Sequence, residues 1–96
     1  MLYALICTDK LNSTDLRAKV RPEHLAYLDT LGGALKFAGP FVNDEGVSIG
    51  TLAMIEATDR VAAEIIVEND PYKQAGLFAS VEIRAWKWII KNPEAK

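Results

Sequence analysis

The sequence predicts an α+β sandwich in which a four-stranded antiparallel sheet carries two helices on one of its faces. Three observations predict it. Apolar runs at 2–8, 34–43, 47–57 and 77–90 have strand character, stretches at 14–31 and 58–68 have helical spacing, and they follow one another as β-α-β-β-α-β. The link between the middle strands is hairpin-short, whereas the other connections are long enough to hold a helix. At 96 residues, half of them apolar and a quarter charged, the chain is expected to form a single domain over 1–96 that needs no staple.

Each element has a local reason. From Leu2 to Thr8 both alternate sets, Leu2/Ala4/Ile6 and Tyr3/Leu5/Cys7, are apolar, as in a strand covered on both faces. Asn12 and Ser13 head a helical stretch from about Thr14 to Val20. Pro22 lacks an N–H and disfavours α geometry at Arg21, so a helix is expected to restart there rather than continue. Leu25, Leu28 and Leu31 carry it to Gly32-Gly33, where a left-handed residue can close it. Asn43-Asp44-Glu45-Gly46 suits the hairpin loop between the middle strands. Thr58-Asp59 caps a second helix to about Glu68, with Val61, Ala62, Ile65 and Ile66 on one stripe, and Asn69-Asp70-Pro71 ends it. The last strand, Leu77 to Ile90, sets Val81/Ile83/Ala85 against Glu82/Arg84/Trp86/Trp88.

This is the split βαβ, or ferredoxin-like, order. With the helices on one face, the other is left with large apolar side chains whichever alternate set it bears. Such a patch marks an interface. A homodimer paired through the open sheet face is therefore expected, with Trp86 and Trp88 at the contact.

Composition excludes several function classes. The net charge of −2 divides as one negative charge in each half, and the bases are widely spaced, so no phosphate-binding footprint for nucleic acid is expected. The longest uncharged stretch, Gly46 to Ile55, is ten residues, too short for a membrane span. The opening apolar run has no basic n-region, which makes the cytoplasm the expected location. One cysteine and one histidine give no metal-ligand spacing, so no metal is expected. The strand-to-helix junction at 9–13 holds no glycine, no Gly-x-Ser-x-Gly elbow is present, and no nucleotide cofactor is implied. Cys7, inside an apolar strand, reads as a core residue rather than a nucleophile.

Chemistry then converges on Arg21-Pro22-Glu23-His24-Leu25. A helix restarting at Pro22 puts His24 in its first turn, where orphan N–H groups favour a neutral ring able to accept a proton. The plainer alternative makes His24 a boundary residue on the core-facing stripe. Asp70, before Pro71, can cap the turn that follows, and it can also accept an N–H from His24 and fix its tautomer. Both roles can coexist. Two functions are open at this point: a small cofactor-independent lyase or isomerase using His24 as acid and base, or a non-catalytic module holding a small ligand in the same pocket.

The strings Val20-Arg21-Pro22-Glu23-His24-Leu25, Ala38-Gly39-Pro40, Asp70-Pro71-Tyr72 and Ala75-Gly76-Leu77-Phe78 together resemble the YciI-like family, also called YCII-related domains, over nearly the whole chain. The resemblance implies a ferredoxin-like fold, a dimer built by sheet packing, and an active site around a His-Asp pair, here His24 and Asp70. Arg21 and Tyr72 carry over beside them as substrate-binding residues, with Arg21 on an anionic group. Family relatives include a dehydrochlorinase of chlorinated hydroxyquinols, and the wider fold group includes muconolactone isomerase. Gly50-Thr51 stands where many members have Gly-Ser, so Thr51 keeps the hydroxyl and its added methyl narrows the pocket.

Overall fold

The computed structural model describes residues 1–95. It contains β1 (Leu2–Asp9), α1 (Thr14–Thr30), β2 (Leu35–Val42), β3 (Ser48–Glu56), α2 (Arg60–Glu68), a one-turn α3 (Pro71–Gln74) and β4 (Phe78–Trp86). The strands form one antiparallel sheet in the order β2-β3-β1-β4. The predicted α+β architecture, with the helices on one face, is the architecture found.

Pairing in β1 assigns the faces. Tyr3, Leu5 and Cys7 join Ala53, Ile55 and Ile83 beneath Ala63 and Val67 of α2, and this cluster is the core. Asp59 starts α2 as expected, accepting the Ala62 N–H at 2.9 Å. The hairpin loop closes at Gly46, whose φ of +81° is left-handed. At Gly50 the requirement is proximity: a Cβ there would lie 2.5 Å from the Cys7 carbonyl oxygen, so only glycine lets β3 approach β1 this closely.

Two expectations are corrected. Pro22 does not restart a helix; it lies inside the continuous α1. The hydrogen bond it forfeits would have gone to Ala18, and both residues are exposed, so water can meet the freed carbonyl. Arg17 on one side and His24 on the other are buried, and their contacts hold both halves of the helix to the same body. The last strand ends at Trp86 rather than Ile90, because Trp86 pairs with Leu2, where β1 begins, and nothing remains beyond it to pair with.

Trp88 thus leaves the strand but stays with the aromatic group. Phe37 of β2 meets Trp86 and Trp88 at ring-centroid distances of 6.3 and 5.1 Å. Phe37 and Trp86 belong to the two edge strands, so these rings reach across the open face, above Met54 and Ala4. That cover explains why Met54 is only 3% exposed on a face without helices. A Lys36–Glu94 ion pair of 2.8 Å fastens the tail to β2. No helix among the described residues is long and apolar enough to cross a membrane.

Candidate active site

A cavity of about 540 Å³ opens between α1 and the β2–β3 hairpin. Helical spacing aims Arg17, Arg21, His24 and Leu28, at i, i+4, i+7 and i+11, into it from one stripe of α1. Ala38, Gly39, Pro40, Ser48 and Thr51 line the opposite wall. His24 is not at a helix start. It lies nearly three turns inside α1, so orphan N–H groups cannot set its state.

What does set it is Asp70. His24 Nδ1 lies 2.9 and 3.1 Å from the two Asp70 carboxylate oxygens, with both side chains largely buried. Asp70 also accepts the Tyr72 N–H at 2.9 Å as the N-cap of α3, so capping and imidazole binding coexist. An ionised carboxylate only accepts, which assigns the proton of the neutral ring to Nδ1. Nε2 makes no hydrogen bond to the described residues and is not a sealed, orphaned atom, so it is reached from the cavity His24 lines.

Tyr72 lies under this pair. Its ring stacks on the imidazole, with centroids 3.9 Å apart and planes 16° from parallel, and it is only 2% exposed. Burial pushes its phenol above the ordinary range, and Arg17 and Arg21 partly oppose that. The Arg17 Cζ is 4.8 Å from the Tyr72 ring centroid. Arg17 donates Nη1 to both Asp9 oxygens at 3.2 and 3.3 Å, and Nη2 to the Gly50 carbonyl at 2.7 Å and to Thr51 Oγ1 at 2.6 Å. Desolvation raises the Asp9 carboxyl against the opposing pull of Arg17. Thr51 is therefore a buried partner of Arg17 as well as a wall of the cavity.

Arg21 differs from Arg17. It is exposed at the cavity and makes no ion pair among the described residues. Burial, then the nearby Asp70 and Asp9 charges, push the Cys7 thiol up to about 12, which leaves it an inert core group. No group of His, Cys, Asp and Glu among the described residues has metal-site geometry.

The structure thus gathers His24, Asp70, Arg21, Thr51 and Tyr72 at one place, and adds Arg17 and Asp9, which sequence reasoning missed. The signal was present, since Arg17 stands seven residues before His24. Breaking the helix at Pro22 put the two on different helices and hid their common stripe.

Comparison with known proteins shows the family and the fold. The YCII-related domain model matches residues 1–87. Protein YciI of Escherichia coli O6:H1 is 36% identical over 94% of this chain and all of its own length. Among solved structures, 5-chloro-2-hydroxyhydroquinone dehydrochlorinase of Burkholderia phenoliruptrix, in complex with 2,5-dihydroxybenzoquinone, is 32% identical with a TM-score of 0.84, over 91% of this chain and 94% of that one. A NIPSNAP family protein of Agrobacterium tumefaciens, 19% identical with a TM-score of 0.58 over 98% of this chain and 97% of its own, shares the fold. Since the family match runs from the first strand through the last and takes in every residue of the site, the chain belongs to the YCII-related domain family.

Proposed function

We propose that this protein is a small cofactor-independent enzyme of lyase or isomerase type, acting by acid–base chemistry on a small cyclic or carbonyl compound. The observation that carries the reading is His24, held at Nδ1 by Asp70 with Nε2 left to a cavity large enough for such a compound. Nε2 takes a proton from an acidic C–H or O–H of the substrate, Asp70 stabilises the imidazolium, and the ring returns the proton at a second atom or to a leaving group. Arg21, a cavity cation with no ion pair among the described residues, binds an anionic oxygen of the substrate. Thr51 and Tyr72 bound the pocket that holds the ring.

The dehydrochlorinase similarity supports this reading, and its ligand supplies the first probe. We expect 2,5-dihydroxybenzoquinone to bind, as followed by its absorbance, and turnover to be found among hydroxylated or halogenated cyclic compounds by mass spectrometry. General acid–base catalysis is worth about 10² to 10⁴ in rate, so His24→Ala loses that much on any substrate found. Unchanged turnover in His24→Ala would falsify the proposal. The reading includes a cytoplasmic location and a homodimer paired through the open sheet face, in keeping with the lone buried thiol and the exposed aromatic rings there.

A further inference from the structure

We propose that Arg17 is a positioning residue for His24, acting through the face of Tyr72. The inference rests on His24 being the base, but its geometry is independent of any substrate. The Arg17 guanidinium and the His24 imidazole both lie against the Tyr72 ring, and each is paired with its own carboxylate, Asp9 and Asp70.

The order of contacts gives the reason. A histidine bound at Nδ1 alone can still swing about that bond, which would move Nε2 away from the cavity. A ring lying parallel at 3.9 Å removes this freedom, provided the ring itself is fixed. Tyr72 is held by its own N–H to Asp70, by burial, and by the Arg17 guanidinium over its ring. Arg17 in turn is over-determined: its two terminal nitrogens reach β1 through Asp9 and β3 through Gly50 and Thr51. Four donor contacts within the protein occupy both terminal nitrogens, so Arg17 lines the cavity without those groups being free for a ligand. A planar fork is needed for this, because it can bond in its plane while one face lies on the ring. Lysine carries the same charge without the plane.

His24 is the chain's only histidine, so its NMR signals are unambiguous. In the wild type we expect ring protons displaced upfield by the stacked phenol, and ¹⁵N shifts of a single Nδ1–H tautomer in the neutral ring. Tyr72→Phe keeps both signatures. Arg17→Lys, folded by the dispersion of its amide spectrum, loses the upfield displacement while Asp70 keeps the Nδ1–H tautomer. Where Arg17→Lys does not fold, Thr51→Val removes one acceptor of the fork and shows the same loss to a smaller extent. Wild-type ring-proton shifts in either folded variant overturn the proposal. Turnover that persists without His24 would sink the catalytic reading while leaving this spectroscopic result in place, so the two failures are distinguishable.

Discussion

Asp70 is bound by two demands at once, and its substitution separates them. In Asp70→Asn the amide oxygen can keep the Oδ1 position that accepts the Tyr72 N–H, while the NH₂ replaces Oδ2, 3.1 Å from Nδ1, where it donates to Nδ1 and favours the ring proton on Nε2. The base is then blocked where it meets the cavity. The expected loss is about 10² to 10⁴ in rate with a folded protein, read from steady-state kinetics and circular dichroism together. Cys7 gives a second outcome at this scale, with a definite sign. Its thiol stays protonated in the folded chain up to about 12, whereas the unfolded thiol ionises near 9.0. Between these values the unfolded state holds fewer protons, so stability falls as pH rises, by up to about 1.4 kcal/mol per pH unit from this group. Urea unfolding at pH 8, 10 and 11 should show the wild type losing stability relative to Cys7→Ala, and parallel curves would remove burial of the thiol as the cause.

The elements show how much of this was legible in the chain, and where legibility stopped. The first three strands, the Asp59 cap and the Gly46 hairpin follow from short-range rules, and each stands close to where those rules put it. His24 and Asp70 could be paired because their two elements belong to one layer. Pro22 misled for a physical reason: proline is judged by the hydrogen bond it removes, but the helix is held by buried anchors on both sides of it, and these are tertiary. Nothing local to the last strand shows that it pairs with β1 in a register that puts Leu2 opposite Trp86 and leaves Trp88 without a partner strand. Gly50 belongs to the same class, since its need arises from the approach of β1. Gly50→Ala must push β3 away from the Cys7 carbonyl, which should cost about 1–3 kcal/mol and also loosen the Gly50 and Thr51 contacts of Arg17. A denaturant midpoint equal to wild type would show that the sheet absorbs the methyl freely.

At the scale of the whole molecule, the two faces of the sheet are finished differently. The helices seal one. The other carries its own partial cover, Phe37, Trp86 and Trp88, yet Phe37, Phe41 and Trp86 remain 37, 41 and 39% exposed there, beside half-buried Ile6 and Leu52. On the proposed reading the occupant of this surface is a second copy. Glu82 and Arg84 stand on the same face two residues apart, so a two-fold pairing can set each opposite its counterpart's opposite charge. A standard interface of about 800 Å² per partner, a little over half apolar, yields on the order of 20 kcal/mol gross at ~25 cal/mol/Å². Lost rigid-body freedom takes roughly 4–15 kcal/mol of that, and the remainder is what the proposed dimer needs to persist at micromolar concentration. Light scattering should therefore give about twice the chain mass of 10.6 kDa. Phe41→Glu, placed at the exposed hairpin end of that face, should return the monomer with the fold intact, because a carboxylate cannot be buried there without a partner. A wild-type monomer at tens of micromolar, or a dimer indifferent to Phe41→Glu, would mean that the aromatic cover already suffices for this face.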